Sequence, residues 1–186
     1  MDIGVCVASH VGDIDYVVRA EELGYSHAWL ADSQMLWSDC YAALALVADR
    51  TSTINIGTGV SVSGTRPAPV TAASIATINA LAPGRTFLGL GTGNTAMRIM
   101  GHKPQKIAEF DRYLEAIKPL LKGEEASHSF GGHVSPIRHI MPDKGFVNFD
   151  SPIPLYVSGF GPKSLALAGK HADGAVMSIP PDAQVM

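Results

Sequence analysis

Ser158-Gly159-Phe160-Gly161-Pro162-Lys163 is the stretch of this chain best suited to holding an anion. The apolar run Leu155–Val157 precedes it. A helical pattern follows through Leu165, Leu167, Ala168 and His171 and is closed by Asp173-Gly174. Pro162 suits the first helical position, where its missing N–H costs nothing. A glycine-bearing turn from strand into helix leaves backbone N–H groups at the positive end of a helix dipole, where phosphate is the usual guest. Ser158 would add a hydroxyl and Lys163 a charge. A plain strand–helix connection, with glycine used only for tight turning, explains the same residues.

Further polar and glycine-rich positions fall where apolar runs end: Ser9 and His10; Asp32, Ser33 and Gln34; Gly59–Arg66; Gly91-Thr92-Gly93-Asn94; and Ser178. In parallel α/β folds, ligands bind outside these carboxyl ends of the strands. None of the positions makes a nucleophile elbow or a paired-carboxylate site, and no His/Cys pair has zinc spacing. That set favours chemistry carried by a bound cofactor, with glycines letting a flat ligand lie close to backbone. Gly91-Thr92-Gly93 begins like a dinucleotide-binding turn, but Ala96 stands where the third glycine would be. His10 and Asp32 are the candidate proton carriers. His10 also suits a hydrogen-bonded turn, and Asp32 a turn cap. Arg66 could hold an anion or an ion pair. Trp29, Met97 and Met100 read as core, and Trp37 as a ring wall or packing.

The elements that would carry these residues alternate. Strands are expected at Ile3–Val7, Ser26–Ala31, Ile54–Val60, Thr86–Leu90, Leu155–Val157 and Ala175–Ser178. Helices are expected from Gly12 to Leu23, with Gly24 as the cap, and over Ser38–Asp49, Ala68–Leu81, Ile107–Leu121 and after Pro162. Strand and helix recurring at roughly 30-residue spacing is the signature of βαβ units and a parallel sheet. An open doubly wound sheet and a (β/α)8 barrel both fit; five to six units are present, where a barrel takes about 250 residues. Glu124–Pro154 breaks the rhythm with glycines and four prolines. It reads as an insertion (124–154) within a single domain (1–186), with short strands at His133–Ile137 and Gly145–Asn148.

Composition removes several classes. The 186 residues carry a formal net charge of −3, so there is no electrostatic footprint for nucleic acid. No basic leader with an apolar run opens the chain, and no window reaches the ~18 consecutive apolar residues of a membrane span. Cys6 and Cys40 read as buried thiols of a cytoplasmic protein rather than a disulfide.

Four blocks in order resemble one family. They are GYSHAWLADSQ (Gly24–Gln34), the long run from Ile54 to Asn94 with Thr65-Arg66-Pro67 and Gly84-Arg85, EFDRYLEAIKPLLKGE (Glu109–Glu124), and VSGFGPKSLALAGKHADG (Val157–Gly174). Together they are similar to the bacterial-luciferase-like family of flavin-dependent monooxygenases and deazaflavin-dependent reductases, closest in flavour to the branch acting on methylene-tetrahydromethanopterin-type pterins. The resemblance runs from about Asp2 to Ile179. It implies a (β/α)8 TIM-type barrel, here apparently incomplete and C-terminally truncated, with FMN or a deazaflavin coenzyme (F-420) at the strand carboxyl ends. It implies a non-prolyl cis bond at Gly59-Val60, with Gly59, Val60 and Ser61 behind the ring. Ser158, Gly159, Phe160, Gly161, Pro162 and Lys163 would hold the cofactor phosphate. Gly91, Thr92, Gly93, Asn94 and Asp32 would line the ring or substrate side. The implied activity is hydride or oxygen transfer to a small organic substrate. A flavin-binding protein without turnover and a phosphate-binding aldolase or isomerase are the rival readings; the last wants a lysine or paired acids at strand ends. An incomplete barrel would expose strand edges and apolar helix faces, so a homodimer is expected.

Overall fold

A computed structural model describes residues 2–178 of the chain. The Pro180-Pro181 break and the final residues of the expected resemblance lie outside the described residues. The element order is β1 (Gly4–Ala8), α1 (Asp15–Glu22), β2 (His27–Ala31), α2 (Cys40–Arg50), β3 (Asn55–Thr58), β4 (Ser61–Val62), α3 (Ala68–Leu81), β5 (Thr86–Gly91), α4 (Thr95–Ile99), α5 (Ile107–Leu120), β6 (Ala126–Phe130), β7 (His133–Ile137), a 3₁₀ turn (Pro142–Lys144), β8 (Leu155–Ser158), α6 (Pro162–His171) and β9 (Gly174–Val176).

The main sheet is parallel and runs β1-β2-β3-β5-β8-β9, with β4 pairing β5 as a continuation of β3. Strands appear in chain order, without the reversal of a doubly wound sheet. Successive right-handed crossovers in one direction keep the helices on one face. The open-sheet alternative therefore falls, and the barrel-type reading stands. Curvature is visible in the side chains. In a flat sheet β2 and β8, three places apart, would lie about 14 Å from one another. Yet the Trp29 and Tyr156 ring centroids are 5.4 Å apart. The strands curl into part of a barrel.

The core lies between the convex face and the helices. Leu30, Ile56, Leu88, Leu90 and Val157 of the sheet meet Leu44, Ile75, Phe110, Leu114 and Ile117 of the helices, all essentially inaccessible. The concave face is different. Trp29, Phe87 and Tyr156 cluster there, with His27 against Phe87. Gly57 makes this possible, because a Cβ there would strike the Phe87 ring and carbonyl. Trp29 is half-buried on this open face rather than part of the helix-side core. Cys6, expected to be buried, is exposed, since alternate residues of β1 face the open side, and only Cys40 is buried.

The 124–154 segment forms a β6–β7 hairpin followed by a looped return. His133–Ile137 is a strand as expected. Gly145–Asn148 is not: Gly145 is left-handed, at φ 77°, and the Asn148 side chain accepts from the N–H groups of Asp150 and Ser151, making a turn. Among the described residues, no helix is long and apolar enough to cross a membrane.

Candidate functional site

Strand register creates the central feature. Gly57 pairs with Phe87 and Ser61 with Leu90, so four steps along one strand match three along β5. The extra residue is a bulge at Gly59-Val60, where the peptide bond is cis. Val60 is thereby turned over its neighbour. A Cβ at Gly89 would meet Val60 Cγ1 at 2.9 Å, and one at Gly91 would meet Val60 Cγ2 at 3.0 Å and Ser158 Cβ at 3.4 Å. The absent side chains of Gly89 and Gly91 make the seat for Val60. A Cβ at Gly59 would likewise crowd Trp29 Cβ at 2.8 Å. Ser61, inaccessible to solvent, shares a hydrogen bond of 2.8 Å with the Tyr41 hydroxyl.

Beside this ledge, β8 ends at Ser158 and α6 begins. Ser164 Oγ accepts from the Gly161 N–H and donates to the Gly161 carbonyl, and Leu165 N–H closes the first turn on the same carbonyl. Pro162 has no N–H, so the Lys163 and Ser164 amides are the first-turn donors without a helical acceptor. A Cβ at Gly161 would meet nothing within 4 Å. Gly159 has no such room, since a Cβ would meet Ser164 at 2.9–3.0 Å. Phe160 is exposed. A glycine-floored ledge next to an open helix start, with two amide donors, a hydroxyl and a lysine, fits a flat ring carrying a phosphate tail.

The β5–α4 turn is divided. Gly91 belongs to the ledge, and the Thr92 carbonyl accepts from Gln105 N–H at 3.3 Å. Gly93, at φ 70°, packs against Val62 and Met97, and Asn94 Oδ1 accepts from Arg98 Nε at 2.6 Å at the start of α4. Ser63 Oγ reaches the Gly91 carbonyl at 3.0 Å and Gln105 Oε1, which ties this corner together.

Asp32 stands at the end of β2 with its carboxylate 2% exposed. Arg66 donates to one oxygen, and Gln34 Nε2 to the other at 2.7 Å. Arg66 also donates to Asp39 Oδ2 at 2.9 Å and lies 5.0 Å from the centre of the Tyr41 ring. Burial alone would lower the pKa of the guanidinium, but the Asp32 charge, the hydrogen bonds to Asp32 and Asp39 and the neighbouring Tyr41 together outweigh it and hold it above its ordinary value. Burial pushes the Tyr41 hydroxyl well above the usual range, so it stays neutral. Arg66 is thus a buried ion-pair partner. Nothing in the sequence pattern marked Tyr41 apart from the apolar face of α2; its place in the first turn, two residues after the helix-capping Asp39, is the signal that was there to read. His10 sits apart, exposed in the turn after β1, where it lines a cavity of about 370 Å³ with Val7, Ala8, Asp13 and Tyr16.

Residues 12–185 match the family model described as luciferase-like monooxygenase. The chain belongs to the luciferase-like monooxygenase family. A 5,10-methylenetetrahydromethanopterin reductase of Methanolobus tindarius is 32% identical over 172 residues, covering 88% of this chain and 48% of that protein. An F420-dependent hydroxymycolic acid dehydrogenase of Mycobacterium tuberculosis is 35% identical over 177 residues, covering 87% and 47%. The chain therefore spans about half the length of the curated relatives it matches. The solved coenzyme F420 dependent tetrahydromethanopterin reductase from Methanopyrus kandleri superposes with a TM-score of 0.74 over 94% of this chain and 55% of that one. At 23% identity it shows the shared luciferase-like fold: a parallel sheet curled into part of a barrel.

Proposed function

We propose that this chain binds a flavin-type redox ring and serves an oxidoreductase acting on a small organic substrate. The meeting of Val60, Gly91 and Ser158 beside the open start of α6 carries the reading. In it, the Gly59–Ser61 ledge, with Val60 seated over Gly89 and Gly91, backs the ring. Ser158, Lys163 and the Lys163 and Ser164 amides hold the phosphate. When bound, such a ring supplies hydride or oxygen chemistry. The chain's own part is to bind, orient and keep water from the concave face, which Trp29, Phe87 and Tyr156 fill from below. Asp32 has both oxygens engaged, which suits holding the β2 end in place better than carrying protons. His10 is left as the acid–base candidate.

Of the two cofactors, the deazaflavin is favoured, because the hydroxymycolic acid dehydrogenase that is 35% identical is named for it. The reading implies a cytoplasmic enzyme. The test uses the full 186-residue chain with FMN and deazaflavin added separately, following ring fluorescence. Saturable quenching by the deazaflavin is expected. Quenching by FMN alone would reverse the cofactor choice, and quenching by neither would remove the reading.

A further inference from the structure

We propose that Arg66 is the positioning residue of the ring site, acting through Asp32, Tyr41 and Ser61 to fix the height of the Gly59–Ser61 ledge. The proposal rests on the reading of a redox ring at that ledge. Both ends of the β2–α2 connection and the first turn of α2 converge on the one guanidinium, which is 15% exposed. Its first nitrogen holds Asp32 at the end of β2, and its second holds Asp39, whose other oxygen accepts from Ala42 N–H at 3.0 Å and caps α2. Its face lies toward the Tyr41 ring. The Tyr41 hydroxyl then reaches Ser61, the residue immediately after the bulge.

The network links the far side of the ledge, at Ser61, to the turn that follows β2. Ser61 and Val62 hang on β5, and the Gly59 N–H donates to the Leu30 carbonyl of β2 at 2.7 Å; the network adds a side-chain tie from Ser61 through Tyr41 and Arg66 to the Asp32 turn at the end of β2. A buried carboxylate such as Asp32 is tolerated only with a partner. Lysine would supply the charge, but it lacks the planar fork that serves two carboxylates and the flat face that lies against an aromatic ring. A site for a rigid ring needs its backing surface held closely, and side chains that lock it from behind serve that end. Arg66 and Tyr41 are placed to do so.

The test compares the full chain with Tyr41→Phe, Arg66→Lys and Glu21→Gln. Deazaflavin and FMN are the probes, and the readouts are ring fluorescence, the position of the visible absorption band and the melting temperature. Glu21→Gln is the stability control, because Glu21 tethers the loop before β3 at the opposite end of that strand. Tyr41→Phe removes only the hydroxyl link to Ser61 and keeps the ring beneath Arg66. Tyr41→Phe and Arg66→Lys are expected to weaken binding about tenfold and shift the bound ring's absorption band, with Glu21→Gln binding as the parent does. If the parent binds and both variants match it, the role of Arg66 is refuted and the functional reading stands. If Glu21→Gln weakens binding equally, the effect is general destabilisation and the proposal is overturned. If the parent binds neither probe, the functional reading itself falls. Should Arg66→Lys fail to fold, Tyr41→Phe decides alone.

Discussion

Glu21 shows how much one exposed-looking side chain does for the sheet. Its Oε1 accepts from the N–H groups of Ser52 at 2.9 Å, Thr53 at 2.6 Å and Ile54 at 2.9 Å, and from the Thr53 hydroxyl at 3.0 Å. Partial burial would raise its pKa, but these donors outweigh it and hold the carboxyl at about 2. An unfolded glutamate titrates near ~4.3, so the contribution is complete above that pH and drains away as pH falls toward 2. Glu21→Gln should lower stability at neutral pH by about 2 kcal/mol, the scale of losing charge-assisted bonds to backbone. It should also flatten the fall in melting temperature between pH 4.5 and 2. An unchanged acid limb in the variant would contradict this. Nothing in the sequence announces the role, because the partners lie 31 to 33 residues away. Arg66 is similar. Its type was legible, but its pairing with Asp32 depends on β2 and β3 lying side by side, which brings together the loops that follow them.

At the scale of elements, legibility followed local signals. Ala68–Leu81 is the helix the sequence marks out, because Pro67 opens it and Ala82-Pro83-Gly84 stops it. The Ser158–Lys163 turn was equally readable, since glycine and proline punctuate it. Ser61–Val62 carries no strand signal in the sequence, because a two-residue strand after a bulge has no periodicity of its own. Thr95–Ile99, a five-residue helix, escaped for the same reason. The return from the hairpin depends on tertiary contacts. Asn79, fully buried in α3, donates to the carbonyls of Asn148 and Ser151 at 3.0 and 2.9 Å, and so pins the loop to the barrel. Asn79→Ala leaves both carbonyls without this donor and should cost about 2 kcal/mol. Hydrogen exchange should then quicken over residues 145–151 while β5 stays protected. Unchanged exchange in that loop would count against the pinning role.

Across the whole molecule, strands in chain order, one extra residue at the β3–β4 bulge and the start of α6 all open toward the same end of the sheet. The βαβ rhythm marks a parallel sheet but leaves an open sheet and a barrel both open, and only the family resemblance implies the barrel; the ledge needed the register, which composition does not encode. Among the described residues, β1 and β9 are the sheet's edges, and Cys6 lies exposed near Trp29 on the concave side. Open edges and apolar surface favour self-association. Light scattering coupled to size exclusion should report twice the chain mass, and a stable monodisperse monomer would oppose that expectation. The most direct measurement of the central claim is a crystal structure of the chain soaked with the deazaflavin. The account predicts the ring against Val60 and Gly91, with its phosphate at the Lys163 and Ser164 amides. A ring bound elsewhere, or a helix start closed by the chain's own side chains, would contradict it.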